Sequence, residues 1–82
     1  MDIAVELSLY PLNAEYIPPI KDFIDRLNAD ARLKVVTNSL STQVFGPYEV
    51  VFAALTRELQ VTFANNGKSV FVMKVLGPLT AT

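Results

Sequence analysis

The chain contains no cysteine and no histidine. Without cysteine no disulfide can reinforce the fold, and no thiolate can hold a metal or attack a substrate. Without histidine the commonest general base and the commonest metal ligand are both missing. No glycine-rich phosphate loop occurs, and neither a Ser/His/Asp nor a Cys/His set can be assembled. The carboxylates Glu6, Asp22, Asp25, Glu49 and Glu58 are scattered, and those on helices read as solvated faces. An enzyme is therefore not expected, nor a metal, nor a cofactor. Charge is sparse and balanced: seven basic and eight acidic residues leave a net charge of -1, without runs of either sign. Nothing here neutralises a phosphate backbone, so no nucleic-acid partner is expected. No apolar run approaches the roughly 18 residues that a membrane-spanning helix needs, so no membrane partner is expected. The N-terminus passes from an acidic residue straight into an alternating strand, unlike a signal peptide, and a cytoplasmic location is the default.

What is present is apolar surface. Hydrophobic residues make up 51% of the 82 and charged residues only 18%, with a mean hydropathy of +0.34. Residues 1–82 read as a single small domain, marginal on its own. Burial of surface against another copy, in a homo-oligomer, accounts best for so apolar a composition.

Periodicity sets out six elements. Ile3, Val5, Leu7 and Leu9 alternate with Ala4, Glu6, Ser8 and Tyr10, the pattern of a half-buried strand. Pro18-Pro19 suits the first turn of a helix, where amide hydrogens have no partners. Ile17, Ile20, Phe23, Ile24 and Leu27 then recur at helical spacing, with Lys21, Asp22, Asp25 and Arg26 opposite. Two strands follow from about Leu33. A second helix opens after Gly46-Pro47, with Tyr48, Val51, Phe52, Leu55, Leu59, Thr62 and Phe63 as its buried stripe, and stops at Asn65-Asn66-Gly67. The last strand spans Ser69 to Leu76. Strand, helix, strand, strand, helix, strand with right-handed crossovers is the α+β, ferredoxin-like βαββαβ arrangement: a four-stranded antiparallel sheet with both helices on one face. The uncovered face then carries Glu6, Ser8, Val36, Gln43, Phe45, Val70, Val72 and Lys74. Such a surface marks an interface, and a dimer or tetramer through it is expected.

Polar chemistry collects between Val36 and Gly46. The middle of the turn, Ser39-Leu40, is not the Asn-Gly or Asp-Gly that a two-residue hairpin prefers. A four-residue turn from Asn38 to Ser41 places Thr37 opposite Thr42, with both hydroxyls on the helix-facing side at the rim of an apolar surface. Because the third strand is expected to begin where the first ends, Tyr10 comes close to Ser41 and Thr42. Threonines also simply favour strands, and serines and asparagines turns, so the pattern alone leaves a structural reading open.

The segments Glu6-Leu-Ser-Leu-Tyr-Pro-Leu12 and Asn38-Ser-Leu-Ser-Thr-Gln-Val-Phe-Gly46, with Glu49-Val-Val-Phe opening the second helix, resemble the small thiamine-binding proteins of the ferredoxin-like class. The similarity runs from Ile3 to about Leu76. Some members of that family are single domains that assemble as oligomers; others carry the domain twice and bind thiamine or its hydroxymethylpyrimidine half. The resemblance implies a non-catalytic binding protein for thiamine or a related pyrimidine, serving uptake, salvage or sensing. It implies a ligand site at Tyr10, Asn38, Ser39, Ser41 and Thr42, to which geometry adds Thr37. Glu6 could meet an aminopyrimidine over the open face, but a cross-strand pair with Lys74 is its simpler role. The alternative function is an ACT-like regulatory or structural oligomerisation module without thiamine binding. An acylphosphatase would share the topology, yet it needs an arginine in the loop after the first strand. Here that loop, Pro11 to Tyr16, has no basic residue.

Overall fold

The computed structural model describes residues 1–79. Six elements follow in order: β1 (Asp2–Pro11), α1 (Ile17–Asn28), β2 (Lys34–Thr37), β3 (Thr42–Pro47), α2 (Tyr48–Asn66) and β4 (Ser69–Leu76). The strands form one antiparallel sheet in the order β2-β3-β1-β4. This is the ferredoxin-like α+β arrangement read from the periodicity. Among the described residues no helix is long and apolar enough to cross a membrane.

The alternation in β1 decides which side of the sheet is covered. Ile3, Val5, Leu7 and Leu9 are buried and pack with Phe23 and Leu27 of α1 and with Val51 and Leu55 of α2. Phe71 of β4 completes this layer, with its ring centroid 5.0 Å from that of Phe23 and 5.5 Å from that of Phe63. The opposite face stays open. Val36, Val70 and Val72 are exposed there, and Phe45 lies under the Lys34 ammonium, 5.7 Å from its ring centroid. Gly67 ends α2 at φ 72°, a conformation that side chains with a Cβ resist.

Two expectations require correction. The buried stripe of α2 is rotated: Ala54 and Glu58 lie inside, while Tyr48 and Phe63 are half-exposed. Glu58 is held there by an ionic clasp between the helices. Arg26, assigned to the solvent face of α1, donates from Nη1 to the Glu58 carboxylate at 2.6 Å and to the Glu58 carbonyl at 3.0 Å. Its Nη2 donates to Thr62 Oγ1 at 2.7 Å and its Nε to Asp22 at 2.9 Å. Arg57 Nε donates to the second Glu58 oxygen at 2.7 Å. Glu58 is thus not a solvated carboxylate but a buried one with both oxygens occupied, as burial of a charge requires. Secondly, β3 does not begin where β1 ends. Thr42 pairs with Leu7, and β1 continues to Pro11.

The clasp makes acid the condition that loosens the fold. Burial alone would push the Glu58 carboxyl up, but the hydrogen bonds from Arg57 and Arg26 outweigh it and hold it below its ordinary value of 4.5. Arg32, donating from its side chain and its backbone, lowers Asp30 to about 2. A carboxylate depressed in the folded state stabilises above its unfolded pKa, and that contribution is lost as pH falls through the folded one. Urea-unfolding stability should therefore hold steady down to about 4.5 and decline from there toward 2. Glu58→Gln should be less stable at neutral pH and decline less steeply in acid. Parallel declines in the two proteins would contradict this role for Glu58.

Candidate functional site

The hairpin between β2 and β3 is built by its own asparagine. Asn38 Oδ1 accepts from the Leu40 amide at 2.8 Å and the Ser41 amide at 3.1 Å, while the Asn38 amide donates to the Ser41 carbonyl at 3.1 Å. This side-chain acceptor replaces the glycine a tighter turn would need, and no non-glycine residue takes a positive φ among the described residues. The four-residue turn from Asn38 to Ser41 therefore stands as read, and so does its register, Thr37↔Thr42. The two threonine hydroxyls lie 3.2 Å apart in a mutual hydrogen bond. Thr42 is buried and Thr37 exposed. The pair spans the step from core to solvent.

Beyond Leu7, β1 has lost β3 as a partner. Ser8, Leu9 and Tyr10 run on alongside the turn, and their backbone groups on that side have no strand to meet. Between this edge, α1 and the hairpin lies a groove of about 180 Å³. Its walls come from Leu7 to Tyr10, from Ile20, Phe23 and Ile24, and from Thr37 to Thr42. All six residues singled out from the sequence, Tyr10, Thr37, Asn38, Ser39, Ser41 and Thr42, border it.

Their hydrogen-bonding capacity is not equal. Asn38 has its carboxamide oxygen committed to the turn. Ser41 points the other way, because it neighbours Thr42 in an extended segment. Its hydroxyl donates to Glu6 Oε2 on the open face at 3.1 Å and retains only its acceptor positions. Glu6 also faces Lys74 across the strands, 3.9 Å away, which is the simpler of its two roles. The threonine pair, the Ser39 hydroxyl and the Asn38 side-chain nitrogen, Nδ2, remain to meet a ligand. Leu40, 87% exposed, also borders the groove. Sequence reading missed Leu40 and the β1 edge. The apolar wall of Ile20, Phe23 and Ile24 was visible as helix stripe but not as part of a site.

Among the described residues, no carboxylate, ammonium or guanidinium lines the groove. A cluster of neutral hydroxyls and amides against apolar walls can orient a small flat heterocycle by donating and accepting. At about 180 Å³ the groove is smaller than the roughly 300–1,000 Å³ of sites that enclose drug-sized molecules, so one ring fits it better than two. A larger hollow of about 320 Å³ lies on the open sheet face, between Ala4, Glu6, Phe45, Lys74 and Leu76. Glu6 and Lys74 are already turned to each other there.

Comparison with known proteins shows the fold alone. No family model matches the chain, and no curated protein matches it. Among solved structures it is similar to a hypothetical protein of Methanocaldococcus jannascii, with 20% identity and a TM-score of 0.83 over 99% of this chain and 84% of that one. A Streptococcus pneumoniae protein has 20% identity and a TM-score of 0.86 over 96% and 90%. A "putative thiamine biosynthesis/salvage protein" of Thermotoga maritima has 13% identity and a TM-score of 0.83 over 92% and 82%.

The groove depends on the turn keeping its shape. Asn38→Ala removes the acceptor for two amides and should cost about 1–2 kcal/mol in urea unfolding. Amide exchange at Leu40 and Ser41 should accelerate more than exchange in β1. Unchanged exchange at those two amides would show that the carboxamide does not hold the turn.

Proposed function

We propose that the protein binds thiamine, or its hydroxymethylpyrimidine half, in the groove between the β1 edge, α1 and the hairpin, and performs no chemistry on it. A role in uptake, salvage or sensing, acting in the cytoplasm, belongs to the same reading. The observation that carries it is the convergence of Tyr10, Thr37, Asn38, Ser39, Ser41 and Thr42 on one groove. An aminopyrimidine offers donors and acceptors around a flat ring, and hydroxyls can answer either. The volume suits that single ring. The name of the Thermotoga maritima neighbour supports the ligand class, though at 13% identity.

Thr42 is the residue to change. An apolar side chain would serve a buried position facing the helices at least as well, so Thr42→Val keeps shape and branching while deleting the hydroxyl. Stability should move by no more than about 1 kcal/mol. Affinity for hydroxymethylpyrimidine, measured by isothermal titration, should fall by about 1–3 kcal/mol, because a buried ligand group is left unpaired. No heat and no thermal shift with either compound at millimolar concentration would remove the reading.

A second observation favours an additional role in assembly. Val36, Val70 and Val72 stand exposed on the open face, which also carries the 320 Å³ hollow. We propose that a second copy covers this face, giving a dimer or tetramer. The same contact would serve a regulatory or structural module that binds no vitamin. Phe45→Glu places a charge in that contact and should yield a monomer by sedimentation. A wild-type protein that sediments as a monomer at micromolar concentration would contradict the assembly.

A further inference from the structure

The groove is the first of three hollows joined through shared side chains. Leu9, Tyr10 and Ile20 border both the groove and a second hollow of about 290 Å³, whose remaining walls are Pro11 and Tyr16. Tyr16 also borders a third, of about 210 Å³, which includes Glu15. The three differ in chemistry. The first presents neutral hydrogen-bonding groups. The second is apolar and flanked by two tyrosines, each 55% exposed. Among the described residues neither ring packs against another aromatic ring. The third carries a carboxylate.

Charge along this path has one sign. Among the described residues, no lysine or arginine lines any of the three hollows. The N-terminus of α1 opens beside the third, where helices commonly bind phosphate through free amides. Here Pro18 and Pro19 occupy the first turn and have no amide hydrogen to give. Glu15, just ahead of the helix, adds negative charge. A phosphate would meet a carboxylate and a helix end in which two of the first-turn amide donors are missing. A cationic ring would meet two tyrosine side chains, whose ring faces attract cations.

Building on the function proposed above, we propose that the site selects the unphosphorylated vitamin. The pyrimidine occupies the groove, the cationic thiazolium lies between Tyr10 and Tyr16, and the hydroxyethyl end points toward Glu15, where a phosphate ester is repelled. Tyr16 and Glu15 are thus specificity-determining residues outside the hydrogen-bonding groove.

Isothermal titration with hydroxymethylpyrimidine, thiamine and thiamine monophosphate tests this on the full chain. The wild type should bind thiamine at least about fivefold more tightly than the monophosphate at low salt, with the difference shrinking as salt screens the exposed carboxylate. Tyr16→Leu should weaken thiamine by about two- to fivefold while leaving hydroxymethylpyrimidine unchanged. Glu15→Lys should close or invert the gap between thiamine and its monophosphate. Equal or tighter wild-type binding of the monophosphate would overturn the proposal, and that comparison needs no variant. Equal weakening of both thiamine and hydroxymethylpyrimidine by Tyr16→Leu would also overturn it. If hydroxymethylpyrimidine binds and depends on Thr42 in either case, the groove stands and only the selectivity fails. If neither compound binds, both fail together.

Discussion

The ladder between β1 and β3 ends at Leu7↔Thr42, while β1 runs on to Pro11 along β4. That mismatch in strand length is the constraint on which the candidate site depends. A β3 that matched β1 residue for residue would extend through the positions now occupied by the turn and close the groove. Instead the sheet is cut back at one corner. The hairpin rises at the cut, α1 supplies apolar cover, and a strand edge is left beside them. The groove is a consequence of topology first and of side chains second.

The side chains then divide into those that hold the corner and those left to face it. Asn38 spends its carbonyl oxygen on two amides, and Ser41 spends its hydroxyl proton on Glu6 across the sheet. These contacts fix the turn by themselves, which would reduce the ordering that the proposed binding imposes. Thr37 and Thr42 share a single hydrogen bond, leaving each oxygen further capacity. Behind the groove wall the Arg26–Glu58–Arg57 clasp ties α1 to α2, with the Arg26 guanidinium 5.7 Å from the ring centroid of Phe23. It fixes the helix that walls the groove without contributing a charge to it.

The fold was legible because its signals are local. The period-two alternation of Ile3 to Tyr10 and the helical recurrence of Ile17 to Leu27 each need only a short window. The Thr37↔Thr42 register followed from counting the turn residues. Ser41's orientation was also within reach, since a residue next to Thr42 must point to the opposite face. The clasp was not. Arg26 and Glu58 lie 32 residues apart, and a charged residue on a helix reads as solvent-facing unless its partner on the other helix is known. The second and third hollows were equally hidden. Tyr16 sits in a loop with no period, and its place beside Tyr10 depends on how the chain turns from β1 into α1.

The central claim is that the cut corner of the sheet, rather than the open face, receives the pyrimidine. Backbone amide NMR during titration with hydroxymethylpyrimidine tests it most directly. The account predicts shifts that saturate together at Ser8 to Tyr10 and at Asn38 to Thr42, with Ala4, Phe45 and Lys74 unmoved. Saturating shifts centred on Ala4, Phe45 and Lys74, with the hairpin unperturbed, would contradict it.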